Sequence, residues 1–205
     1  MDMQTKFGTG AELEFDLRRT IILSVYLKHW GMPEWRKILF DSDEKTRIEL
    51  YYFPSVSEDL PARFATIGLS ACRYESSGAP IHSEWVMASE RGLGGESYER
   101  LFDYLADLLV HHIRNGLGGG LPRLMPPSLL APERWTATAL LLDEPRGEDE
   151  ELESFQVGDQ RVELVWALPI TPNEAKRISE EGIESFDDHA EESDYSLIDP
   201  CRPDE

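Results

Sequence analysis

Apolar positions in residues 11–30, AELEFDLRRTIILSVYLKHW, recur at three-to-four spacing, with Leu13, Leu17, Ile21, Ser24 or Val25, and Lys28 along one face. This predicts a helix that packs that stripe on the rest of the domain and stops at Gly31 and Pro33. After a short link, EWRKILFDSDE, the period falls to two. Ile48, Leu50 and Tyr52 alternate in TRIELYYF, a strand closed by Pro54. RFATIGLSACRY reads as a second strand, with Gly68 as a bulge or close-packing point. ESSGAP is a turn and SEWVMAS a third strand, the antiparallel neighbour of the second.

Helical spacing returns in SYERLFDYLADLLVHHIRN. Leu101, Leu105, Leu108 and His112 share a face with Phe102, Leu109 and Ile113, and Asn115-Gly116 ends the helix. Residues 116–134 are rich in Gly and Pro and read as a long irregular connection. WTATALLL is a fourth strand and EPRGEDEEL a charged loop. SFQV and QRVELVWAL form a hairpin around Gly158-Asp159. In the second of these strands Leu164 and Trp166 alternate with Val165 and Ala167, so both its faces are apolar. Thr171-Pro172-Asn173-Glu174 carries a capping box with Pro at the first helical position, opening a helix that runs to Gly182. IESFDDHAEE is a last helix. Helices and strands do not alternate, which argues against a doubly wound parallel sheet. The pattern predicts a single α+β domain over residues 1–192, a mixed or largely antiparallel sheet packed by helices, and an acidic tail at 193–205.

Charge narrows the function. The 205 residues hold 20 basic and 40 acidic side chains, a net charge of −20. Residues 144–205 carry 20 acids and 5 bases, against 20 acids and 15 bases in residues 1–143. Phosphate backbones repel such a surface, so nucleic acid is excluded as a direct partner, whereas a basic protein is attracted. Glu180, Glu181, Glu184, Asp187 and Asp188 are the acids expected to capture it. The plain alternative is that they keep the chain in solution. No apolar run approaches the roughly 20 residues of a membrane span. The segment MDMQTKFGTG lacks the basic and apolar regions of a signal peptide. A cytoplasmic protein is the expectation.

Catalytic signals are missing. The run GLGGG (116–120) lacks the Lys-Ser/Thr of a phosphate loop and follows a helix. GLGGES, ahead of the second long helix, could offer amides to an anion, though a plain loop explains it as well. His111 and His112 are adjacent on a helix and point about 100° apart, too divergent for one ion. His29, His82 and His189 have no ligand-spaced neighbours; Asp187-Asp188-His189 offers a weak metal site at most. Cys72 and Cys201 form no metal-ligand pattern, and a reducing compartment argues against their pairing. No Gly-x-Ser-x-Gly is present. The five Trp residues suit core packing, with one or two available to anchor a partner. Neither catalytic residues nor a metal or cofactor are expected.

Several segments, in order, resemble the suppressor-of-fused family. These are WGMPEW with TRIELYYFPS, RFATIGLS, YERLFDYLADLLVHHI, VELVWALPITPNEAKRISEEGIESF and the closing IDPCRP. The match spans roughly residues 30–203 and corresponds to the amino-terminal domain of the animal members. Ala71 departs from it, since relatives carry Asp after Gly-Leu-Ser. The resemblance implies a non-catalytic protein-binding protein. Animal members hold a peptide as an added strand, and bacterial members look like immunity proteins that neutralise secreted toxins. Phe64 would then fall at a peptide-contacting aromatic position and Glu75 near an acidic one. A scaffold or regulator of a transcription or signalling protein, and an enzyme with an unrecognised site, remain the alternatives.

Overall fold

The computed structural model of the chain describes residues 10–40, 47–58, 60–90, 93–116 and 119–205. Thr46 of the first expected strand, Gly92 of GLGGES, Leu117 and Gly118 of the glycine run, and most of MDMQTKFGTG lie outside the described residues. The elements in chain order are α1 (Gly10–Trp30), β1 (Trp35–Phe40), β2 (Arg47–Phe53), β3 (Ala62–Ile67), β4 (Ser83–Ser89), α2 (Tyr98–Asn115), β5 (Arg123–Met125), β6 (Ala139–Asp143), α3 (Glu150–Glu153), β7 (Ser154–Val157), β8 (Gln160–Ile170), α4 (Pro172–Glu181) and α5 (Ile183–Glu192).

The described strands form one mixed sheet in the order β1-β2-β3-β4-β8-β6-β5, with β7 also on β8. Every pairing is antiparallel except β4 with β8, which runs parallel from Ser83 opposite Glu163 to Val86 opposite Trp166. This is the single α+β domain that the pattern predicts. Helices cover both faces. α2 buries Leu101, Phe102, Leu105, Leu108 and Leu109 against Ile48, Leu50, Phe64, Trp85, Leu140 and Val165. On the other face α1, α3 and α5 bury Ile22, Tyr26, Trp30, Leu152 and Phe186 against Tyr51, Phe53, Ile67, Val86, Leu164 and Trp166. Two covered faces are why Leu164-Val165-Trp166-Ala167 is apolar at every position.

Five elements depart from the sequence reading. The stripe Leu13, Leu17, Ile21 of α1 faces solvent, and Ile22, Tyr26 and Trp30 face the sheet instead. The buried set follows the same i, i+4, i+8 spacing but carries two aromatics, which bury more apolar area than leucines can. The link after Pro33 contains β1, whose residues Trp35 to Phe40 pair with Tyr52 to Arg47 of β2. The irregular 116–134 connection holds the short strand β5, and the charged loop holds α3, capped by the Asp149 side chain accepting from the Glu151 N–H. The fourth strand starts at Ala139, not Trp135. The N–H groups of Thr136 and Ala137 donate to the Pro200 carbonyl (3.1 and 3.0 Å), so their backbone is occupied by a contact far along the chain.

Residues 193–205 pack where β4 and β8 part. The Glu90 N–H donates to the Ile198 carbonyl (3.4 Å). Arg202, 3% exposed, reaches between α4 and β8, donating to both Glu174 carboxylate oxygens (2.8 and 2.7 Å) and to the Pro169 carbonyl (2.8 Å). The capping box is present at the start of α4: the Glu174 N–H donates to Thr171 Oγ1 (3.2 Å) and the Thr171 N–H to Glu174 Oε2 (2.7 Å). Thr171→Ala is expected to cost about 1 kcal/mol by losing one amide partner. An unchanged urea-unfolding midpoint would rule this out.

Candidate partner-binding site

The site is built from a strand edge, a loop and a helix end. Among the described residues no strand pairs with the outer edge of β1. Beside that strand a groove of about 530 Å³ is lined by Leu39, Phe40, Ile48, Cys72, Glu75 and Val110, and extends to Ile113 and Arg114 at the end of α2. Phe40 and Val110 are 58% and 41% exposed, so the groove has an apolar floor reachable from solvent. Arg73, Glu75 and Arg114 supply charge at its rim.

The loop that forms one wall is fixed by a buried carboxylate. Glu84 of β4 is 0% exposed and accepts five hydrogen bonds: from the hydroxyls of Thr66 (2.6 Å) and Ser70 (2.6 Å) and from the N–H groups of Gly68 (2.9 Å), Leu69 (3.2 Å) and Ser70 (3.1 Å). These bonds shape the 3-10 turn Leu69–Ala71. Gly68 takes φ 104°, and a Cβ there would lie 2.5 Å from the Arg47 carbonyl oxygen, so both the conformation and the space require glycine. From this turn the chain continues as Cys72–Glu75. The Glu75 N–H then donates to the Ile113 carbonyl (2.8 Å), fastening the loop to the last turn of α2.

Tyr74 ties the same wall to the helix. The Tyr74 oxygen accepts from Arg123 (3.2 Å) and shares a hydrogen bond with His112 Nε2 (3.2 Å), so the phenol bridges the loop, β5 and α2. Burial, with the positive charges of Arg123 and His111, pulls the His112 pKa down to about 3. An unfolded histidine takes up a proton near pH 6.5, whereas the folded one does so only near 3. His112 therefore withdraws stability as pH falls from about 6.5 toward 3, by about 1.4 kcal/mol per pH unit. Between pH 7 and 5 the urea midpoint of wild type is expected to fall more steeply than that of His112→Gln. Parallel curves would refute it.

The seven candidate residues do not converge. Phe64 is 1% exposed, with its ring 5.0 Å from Tyr52 and 5.4 Å from Phe102, inside the core beneath α2. Glu75 is exposed at the groove. Glu180, Glu181, Glu184 and Asp188 are exposed on α4 and α5, across the sheet from α2. Asp187 is half-buried and accepts from Arg146 (2.6 Å), so its charge is already matched. The sequence reading did not identify Glu84, although an acid directly ahead of the apolar run Trp85–Ala88 is a visible signal, nor Val110, Arg114 and the β1 edge.

Among the described residues no group of three His, Cys, Asp or Glu side chains could hold a metal ion. No helix of the described residues is long and apolar enough to cross a membrane.

Residues 44–203, spanning the groove loop, α2, β8 and the Arg202 anchor, match the family of the suppressor of fused protein. The chain belongs to the suppressor of fused family. Its fold resembles a suppressor of fused homologue from Neisseria gonorrhoeae with a TM-score of 0.68 at 18% identity, over 92% of this chain and 96% of that one. A structure of a Sufu–Fu complex matches with a TM-score of 0.57 at 14% identity, over 97% of this chain and 92% of that one. Drosophila Suppressor of Fused matches with a TM-score of 0.56 at 14% identity, over 92% of this chain and 49% of its own length. No curated protein matches in sequence.

Proposed function

We propose that this suppressor of fused domain is a non-catalytic binding protein that neutralises a basic protein, the cognate secreted toxin, in the cytoplasm. The observation that carries the reading is the apolar groove beside the outer edge of β1, which no described strand pairs. A partner segment laid there can add backbone hydrogen bonds at the strand edge and seat side chains between Phe40 and Val110. The net charge of −20, with Glu180, Glu181, Glu184 and Asp188 exposed, favours a basic partner by raising the encounter rate. A relative solved in a Sufu–Fu complex supports protein binding as the use of the fold. The same observation favours a second reading, in which the partner is a signalling protein and the domain regulates it.

The test is stopped-flow association with a basic protein encoded beside this one. The association rate is expected to fall steeply with salt, because exposed charges are screened within about 10 Å at 0.1 M. Replacing Glu180, Glu181, Glu184 and Asp188 by their amides is expected to slow association, while Val110→Asp mainly speeds dissociation. A salt-independent rate with unaltered variants would sink the proposal. Binding by a signalling protein but not by that neighbour would favour the second reading.

A further inference from the structure

A separate cavity, of about 240 Å³, shares Tyr74 with the groove as a lining residue. Its floor is the buried surface of Trp85 on β4, His112 on α2, Leu142 on β6 and Val165 on β8. The rings of Trp85 and Tyr74 lie edge to face with that of His112, at 4.9 and 5.1 Å. The rim carries His82, Glu163, Gly119 and Gly120, all exposed, and the half-buried Arg123. Small-molecule sites have this form, an apolar and aromatic floor with a few polar groups to fix orientation. The volume falls below the roughly 300–1,000 Å³ of drug-sized sites, so the cavity suits a molecule of about one ring.

Two of the lining side chains have donor capacity that the chain does not use. Arg123 donates to the Tyr74 oxygen (3.2 Å) and the Gly119 carbonyl (2.9 Å), and has no ion-pair partner among the described residues. The chain holds 40 acidic side chains against 20 basic ones, so carboxylates are plentiful, yet even Glu163 on the same rim does not pair with it. Three of its five N–H donors remain for a ligand. Trp85, 2% exposed, leaves its indole N–H without a hydrogen-bond partner among the described residues. A buried donor left in this way calls for an acceptor that the folded chain does not supply. His112 is uncharged at neutral pH and adds no second cation at the floor.

We propose that this cavity binds a small aromatic carboxylate, with its ring on the Trp85–His112 floor and its carboxylate on Arg123. The planar guanidinium takes a carboxylate through two parallel N–H bonds. The ring gains edge-to-face contact with the floor aromatics and buries apolar area on Leu142 and Val165. A bare anion leaves that floor empty, and a neutral aromatic leaves the guanidinium unanswered, so recognition needs both parts. Glu163 stands at the exposed rim, where water and salt screen its charge. The site is distinct from the groove of β1 and α2, and the proposal does not rest on the toxin reading.

A ¹H–¹⁵N NMR titration of the full chain with phenylacetate as the probe tests it. The shifts are expected to saturate with one molecule bound and to centre on the Trp85 indole N–H and the amides of Ser83, Arg123 and Glu163. Acetate and benzyl alcohol, which each carry half of the chemistry, are expected to bind at least ten-fold more weakly. Arg123→Gln is expected to weaken phenylacetate binding at least ten-fold. Because Arg123 also holds Tyr74, a second variant leaves the walls intact. A Cβ at Gly120 meets nothing within 4 Å and its backbone is not left-handed, so Gly120→Trp is expected to keep the unfolding midpoint while its indole obstructs the rim and cuts affinity at least ten-fold. Shifts that do not saturate or that lie away from Trp85, equal binding of benzyl alcohol, or full affinity in either variant would each overturn the proposal.

Discussion

Arg202→Ala is expected to lower stability by about 3–5 kcal/mol, the range for breaking a buried ion pair from one side. The variant strands the Glu174 carboxylate, itself 7% exposed, without its cation. It also removes the donors to the Leu197 (2.8 Å), Asp199 (2.9 Å) and Pro169 (2.8 Å) carbonyls. Arg202→Lys is not expected to rescue, because one ammonium cannot span two carboxylate oxygens and three carbonyls at once. Equilibrium urea unfolding measures the loss. The cut between α5 and the last residues should also become accessible to protease in the variant. A loss below about 1 kcal/mol would mean that the 193–205 segment adds little to the fold.

Glu84→Ala is expected to cost on the order of 4 kcal/mol, because it leaves several buried donors without an acceptor at about 1–3 kcal/mol each, partly relieved by water entering the gap. Glu84→Gln keeps the shape but turns an NH₂ group toward N–H and O–H donors, and is expected to cost more than half as much. The damage should be local as well as global. Amide exchange at Gly68–Glu75 is expected to quicken in Glu84→Gln under conditions where β6 and β8 stay protected. Uniform protection across that turn would show that the carboxylate does not hold the groove wall.

Much of the fold was legible because its signals are local. The Thr171 capping box, the Gly158-Asp159 hairpin and the face of α2 all lie within a few residues of chain, and all stand where the pattern put them. What was hidden depends on distant partners. The two apolar stripes of α1 share one spacing, and the aromatic-lined pocket around Phe53 and Phe155 selects the one that carries Tyr26 and Trp30. β1 alternates weakly and becomes a strand through its pairing with β2. Trp135–Thr138 is fully strand-like in composition, but residues near the chain's last turn take its hydrogen bonds. For the candidate site, Glu75 was offered only by the family resemblance, and its place beside Val110 in the groove required the fold. Phe64 shows the reverse: an aromatic position that resemblance offers to a partner is filled by the core.

The single parallel pairing has a consequence for how the chain reaches this state. β1 to β4 form a meander of hairpins, and β5, β6 and β8 build a second antiparallel block; among the described strands only β4 and β8, paired eighty residues apart, join them. Closing so long a loop is entropically costly and yields its contacts late. The two blocks are therefore expected to gain protection early in refolding, with the joining of their edges as the slow step. Until then β4 and β8 each offer an unsatisfied, strongly apolar edge, so refolding at high concentration carries an aggregation hazard centred on Trp85–Met87 and Leu164–Trp166.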